Sequence, residues 1–200
     1  DYQDSEGCDR LALDLPYAQD KVIEALAEVN DNIVVLIVSG NAVAMPWVDK
    51  VDGIIETWYL GSQAGHAIAD VLLGKVNPSG KLPFTFPVRL EDNGAHALNA
   101  YNKNSNTAEY KEGIFVGYRW IEKYDIKPLF AFGHGLSYTE FEYGNAVCRK
   151  SGEGFKVSVD VRNIGPREGK EVVQMYIGDN ESTLERPVKE LKGFKKISLV

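Results

Sequence analysis

Between Leu15 and about Pro87 the apolar residues change spacing several times, and each change predicts an element. Pro16 sits where a first-turn proline is tolerated, and Val22, Ile23, Leu26 and Val29 follow at helical spacing. Asn30-Asp31-Asn32 ends that helix. Ile33-Val34-Val35-Leu36-Ile37-Val38 is an uninterrupted run rich in β-branched residues, the pattern of a strand buried on both faces in a parallel sheet. Gly40-Asn41 closes it, and a second short strand is expected from Gly53 to Tyr59. A helix from about Gln63 to Leu73 would carry Ala64, Ile68, Val71 and Leu72 inward. Asn77-Pro78-Ser79-Gly80 is a strong turn signal, and Lys81 to Phe86 resumes extended structure. Strands and helices alternating at these lengths predict an α/β fold, with a parallel or mixed sheet covered by helices.

The pattern then changes. Residues from about Glu91 to Glu112 are polar and rich in Asn, Ala and Gly, and read as a long surface loop. After Phe141 the helical signal stops. Phe155, Val157, Val159 and Val161 alternate with Lys156, Ser158, Asp160 and Arg162, which predicts a half-buried antiparallel strand. Asn163-Ile164-Gly165-Pro166 turns the chain, Val172 to Ile177 is a second strand, and Val188 to Phe194 a third. Short strands separated by turns suggest a β-sandwich, of which about half the strands precede Val200. An open sheet of that kind is expected to be marginal by itself.

Composition narrows the function classes. A length of 200 residues allows one or two domains, and 44% hydrophobic with 26% charged residues is the balance of a chain that buries a core. The formal charge of -7 repels phosphate backbones and argues against nucleic acid as a partner. No apolar run approaches the roughly 20 residues that cross a bilayer, so no membrane partner is expected, and the polar start from Asp1 to Arg10 carries no secretory signal. Cys8 and Cys148 lie far apart and read as free thiols, while His66, His96 and His134 are scattered. Neither type gives the clustered ligands of a metal site, and Gly40, Gly61, Gly74 and Gly80 form no phosphate-binding fingerprint. No metal or organic cofactor is expected.

Several segments together resemble glycoside hydrolase family 3, in the family's own order. They are Ser5-Glu6-Gly7-Cys8-Asp9-Arg10 with Leu13-Asp14-Leu15-Pro16 and Gln19, then Val43 to Trp47 (V-A-M-P-W), then Trp58-Tyr59-Leu60-Gly61. Ala69 to Pro83 is the most specific stretch, and Gly113 to Tyr118 and Phe132 to Tyr138 follow. The resemblance implies a (β/α) barrel, an α/β sandwich and a fibronectin type III-like domain in succession. On that reading residues 1–140 are the α/β sandwich without its first part. Residues 141–200 are a truncated fibronectin type III-like domain, and the barrel belongs to the same parent chain or to a partner chain.

The implied activity is that of a retaining exo-acting β-glycosidase, most closely a β-glucosidase, with a β-linked glucoside or oligosaccharide as substrate; β-xylosides fall within the same resemblance. Such enzymes use two carboxyl groups about 5–5.5 Å apart. By motif position Glu6 is the general acid/base, with Asp4 as the alternative carboxylate. The nucleophilic aspartate lies on the barrel, so this chain alone is expected to be inactive. Cys8 departs from the aromatic often found at its position. Asp9 and Arg10 suit a local ion pair that fixes the loop. Trp47, Trp58 and Trp120 read as core rather than sugar platforms, and His134 as a packing residue between two turn glycines. The rival reading is a non-catalytic binding or assembly module, favoured by the missing nucleophile and opposed by the intact Ser5-Glu6-Gly7 motif.

Overall fold

In a computed structural model of the protein, residues 10–101 and 106–200 are described. Helix α1 (Gln19–Ala27) follows a turn at Pro16–Ala18. Asp20 in its first turn suits the positive end of the helix dipole. Of the expected apolar face only Ile23 packs on the core, while Val22, Leu26 and Val29 are exposed.

Strand β1 (Val34–Ile37) pairs in parallel with β2 (Gly53–Glu56), in register from Val34 opposite Gly53 to Ile37 opposite Glu56. The uninterrupted apolar run predicted burial on both faces. Ile37 is buried and Val35 packs on the core, but Val34, Leu36 and Val38 face outward and are exposed. Among the described residues no element covers that outer face, so the alternation of the pleat shows through. β2 also stops three residues short of Tyr59.

Helix α2 (Ala64–Leu72) lies where its spacing predicted, except that Leu72 faces solvent. Residues 81–86 do not form a strand. They hold one antiparallel bridge, Phe86 to Phe130. The stretch read as a long loop contains a short turn at Leu90–Asp92 and helix α3 (Gly94–Ala97). Asp92 stabilises that turn by accepting hydrogen bonds from the Arg89 backbone and guanidinium, both at 3.0 Å. Helix α4 (Tyr118–Lys123) follows, unforeseen, and buries Trp120 and Ile121 with Phe115.

The main core is Ile37, Ala42, Val43, Met45, Trp47 and Phe86. Four of the six come from 42–47, where the chain runs across the end of β1. Trp47 and Val43 are essentially inaccessible.

Beyond residue 140 the chain is all β. The antiparallel pair β3 (Phe141–Ser151) and β4 (Gly154–Asn163) forms one sheet, and β5 (Gly169–Ile177) with β6 (Glu190–Leu199) a second. β4 is less buried than its alternation suggested: Phe155 and Val157 are exposed, and only its end toward Asn163 is sheltered. A bulge between Gly144 and Val147, with Asn145 at φ 49°, interrupts the β3 register.

Side chains distant in sequence join the two halves. Lys81 donates to Gly135 O at 2.6 Å and pairs with Glu171 at 3.2 Å, with both side chains largely shielded. The Tyr143 hydroxyl donates to the same carboxylate at 2.9 Å; burial of that hydroxyl, reinforced by Glu171, raises its pKa. Gln174 donates to Gly133 O at 3.0 Å. The glycines of Phe132-Gly133-His134-Gly135 are required here. A β-carbon on Gly133 would overlap the Gln174 amide, and one on Gly135 would overlap the backbone of Gly80. Three ion pairs hold α4 to the β5–β6 connection and β6: Lys123–Glu185, Lys189–Glu122 and Arg119–Glu190. The Tyr118 hydroxyl accepts the Leu191 N–H at 2.8 Å. A cavity of about 580 Å³ opens along this junction.

Glu171→Ala leaves the shielded Lys81 ammonium without its counter-charge. The expected loss is about 2–4 kcal/mol, read from the urea midpoint, whereas Tyr143→Phe costs about 1 kcal/mol. His134, beside this pair, has its pKa lowered by loss of solvent and by the Lys81 charge. An NMR titration should place its midpoint below the ordinary value of 6.5, and Lys81→Met should move it upward. The neutral imidazole is favoured by folding. Its contribution is therefore complete above pH 6.5 and declines as pH falls through the folded midpoint.

Candidate active site

The two parallel strands point their carboxyl ends the same way, and in open α/β sheets that edge is where ligands bind. Residues 38–42 and 57–60 build it. The buried Ser39 hydroxyl donates to Asn41 O at 2.7 Å and to Glu56 Oε2 at 3.3 Å. Glu56 Oε1 accepts the Trp58 N–H at 2.9 Å, which holds Trp58 at φ 53°. Thr57 directs both its N–H and its hydroxyl to Ile37 O, at 2.9 and 2.8 Å. A β-carbon on Gly40 would meet the Tyr59 ring at 3.0 Å, so glycine lets the two loops close on each other.

The segment beginning at Arg10 is fastened to this edge. Ala44 donates its N–H to Leu13 O at 2.8 Å. Arg10 reaches Asp14 O at 3.0 Å and, at 3.5 Å each, Leu13 O and Ala42 O. One residue further on, Asp20 accepts the Leu15 N–H at 3.3 Å through one oxygen and the Trp47 indole N–H at 2.6 Å through the other. The chain is thus held beside residue 42, just past the carboxyl end of β1, four residues after position 6.

Glu6 and Asp4, the expected acid/base and its alternative, lie outside the described residues, as do Cys8 and Asp9. Trp47 is core. Trp58 is partly buried and packs edge-on against Phe84 and Phe86 at 5.5 and 6.1 Å. Trp120 is buried in the smaller cluster. His134 stacks on Phe130 at 5.2 Å, on the far side of the Phe86 bridge. The exposed Cys148 is a free thiol. Among the described residues no three His, Cys, Asp or Glu side chains converge as metal ligands.

Sequence reasoning missed Glu56 and Asp20. Both left a signal: a carboxylate closing an apolar strand, and an aspartate in a helix's first turn. With one oxygen on Trp58 N–H and the other on Ser39, Glu56 ties the two edge loops together.

A model of the glycosyl hydrolase family 3 C-terminal domain matches residues 1–118, and a fibronectin type III-like domain model matches residues 171–200. The Bacteroides ovatus protein named beta-glucosidase BoGH3A is 53% identical over all of this chain, which covers 27% of that protein. Thermostable beta-glucosidase B of Acetivibrio thermocellus is 51% identical, again over all of the chain and 27% of its own length. The crystal structure of DesR, a beta-glucosidase from Streptomyces venezuelae in complex with D-glucose, superposes with a TM-score of 0.92 at 44% identity, over 97% of this chain and 25% of that one. A beta-glucosidase from Kluyveromyces marxianus in complex with glucose does so with a TM-score of 0.92 at 42% identity, over 98% and 23%. The chain spans about a quarter of the length of the curated relatives it matches. It belongs to glycosyl hydrolase family 3, and comprises the family's C-terminal domain followed by fibronectin type III-like sequence.

Proposed function

We propose that this chain is the acid/base-bearing part of a retaining β-glucosidase that releases a terminal glucosyl residue by double displacement. The observation that carries the reading is identity above 50% along the whole chain to proteins named beta-glucosidases, with Ser5-Glu6-Gly7 intact. The fastening of residues 10–15 beside the carboxyl edge of β1 supports it, because a general acid works only when its loop is held in place. The alternating character of the chain favours a division near residue 140, with the fibronectin type III-like unit starting at Phe141.

The roles follow from the chemistry. An aspartate nucleophile contributed from outside these 200 residues attacks the anomeric carbon, and Glu6 gives its proton to the departing oxygen. Glu6, now ionised, takes a proton from the water that releases the sugar. To be protonated for the first step it needs a raised pKa, which an apolar surrounding and a neighbouring carboxylate both provide. The 200 residues alone carry one partner of the pair and are inactive in this scheme.

In the full-length protein, Glu6→Ala should lower turnover of an unactivated β-glucoside by about 10²–10⁴-fold. On an activated aryl β-glucoside, azide should restore turnover and yield β-glucosyl azide, since azide attacks the glycosyl-enzyme without a base. Full activity of Glu6→Ala on unactivated substrates would remove Glu6 from the mechanism and leave Asp4 to be tested. Arg10 acts as a positioning residue. Arg10→Ala should reduce kcat/KM by about ten- to a hundredfold on substrates with poor leaving groups and leave it nearly unchanged on activated ones, whose turnover should slow at the base-dependent second step and recover with azide. An equal loss of kcat/KM on both substrate classes would point to a general structural role.

A further inference from the structure

We propose that Tyr59 lines the aglycone side of the active site and favours aromatic leaving groups; the proposal rests on the β-glucosidase reading above. A general acid gives its proton to the oxygen that joins the sugar to the aglycone. The aglycone therefore lies beside the segment that carries the acid. That segment enters the described residues at Arg10, whose guanidinium reaches Ala42 O at 3.5 Å, while Ala44 donates its N–H to Leu13 O at 2.8 Å. Two residues before Ala42, Gly40 touches Tyr59. A β-carbon on that glycine would stand 3.0 Å from the ring carbon Cε2 and 3.4 Å from the hydroxyl oxygen. The Tyr59 ring thus lies along the same loop that Arg10 grips.

The backbone aims Tyr59 outward. Glu56 accepts the Trp58 N–H at 2.9 Å and holds that residue at φ 53°, in the left-handed region that a bulky side chain rarely adopts. Trp58 packs inward against Phe84 and Phe86, while Tyr59 is 62% exposed. A tyrosine so placed offers a flat apolar face with a polar tip, the combination that serves ligand sites. The carboxyl edge of a parallel sheet is where such sites form. Leu60, next in the chain, and Leu11, next to Arg10, are exposed as well. These apolar neighbours favour an aryl group over a second sugar, whose hydroxyls would lose water against leucine side chains without gaining partners.

The test uses the full-length protein and one common glycosyl-enzyme, so that the leaving group's own reactivity drops out. With an activated aryl β-glucoside as donor, 2-phenylethanol and methanol compete with water for the intermediate. The attacking hydroxyl oxygen bonds to the anomeric carbon as the ester bond to the nucleophile breaks, and Glu6 takes the hydroxyl proton. The ratio of 2-phenylethyl to methyl β-glucoside formed should fall about three- to tenfold in Tyr59→Ala and in Tyr59→Leu. It should stay at the wild-type level in Tyr59→Phe, which keeps the ring. In step with it, kcat/KM for phenyl β-glucoside should fall and that for methyl β-glucoside should hold. Should Tyr59→Ala fail to fold, Tyr59→Leu decides. An unchanged product ratio in a folded variant would overturn the proposal, as would an equal loss of kcat/KM on both glucosides. Failure of the wild-type enzyme to hydrolyse any β-glucoside would instead remove the reading on which the proposal rests.

Discussion

One hydrogen bond organises the α/β part, that from the fully buried Trp47 indole to Asp20. An indole N–H enclosed by apolar side chains needs an acceptor, and a carboxylate is a strong one. Asp20 stands in the first turn of α1, so satisfying the indole fixes that helix against the core. Its second oxygen takes the Leu15 N–H, which extends the constraint to the segment running back toward position 6. One side chain thereby sets three things: the seat of a helix, the closure of the core, and the path of the backbone at Leu15.

The second half is attached by a different kind of force. The main core is almost wholly apolar, but the junction is written in charge and backbone complementarity: Lys81 with Glu171, and α4 with residues 185–190. Such contacts are directional, so they fix orientation more than they add net stability. The crowding of Gly133 and Gly135 sharpens this, since the backbones meet where no β-carbon fits. The cavity survives because oriented contacts on its rim hold the two surfaces apart instead of letting them collapse.

What the sequence disclosed depended on how local each determinant was. Helix α2 is set by neighbours within a few positions and was readable, whereas the turn expected at 77–80 is displaced to residues 73–76, directly after the helix. V-A-M-P-W was recognisable as a family segment, though nothing in its spacing announced it as the centre of the core. The run from Ile33 to Val38 overstated burial, because an apolar strand reports what it can pack against, not what lies beside it. Strand β3 escaped notice since Glu142, Gly144 and Asn145 break its alternation at the bulge. Helix α4 is only six residues long and owes its place to charges far along the chain. Lys81 and Glu171 are ninety positions apart, and no pattern in either neighbourhood names the other. The family motif alone singled out Glu6; Glu56 and Arg10 became informative through what they bond.

Arg10 bonds to the carbonyl oxygens of Leu13, Asp14 and Ala42, groups that every amino acid carries. Its recognition is therefore blind to the identities of those three residues and sensitive only to the route the backbone takes. The side chains of Leu13 and Asp14 are left free of this contact, while Ala42 is held by its burial in the core. A lineage of such proteins could remodel the surface around Leu13 and Asp14 extensively while keeping the backbone from Arg10 to Leu15 in the same place.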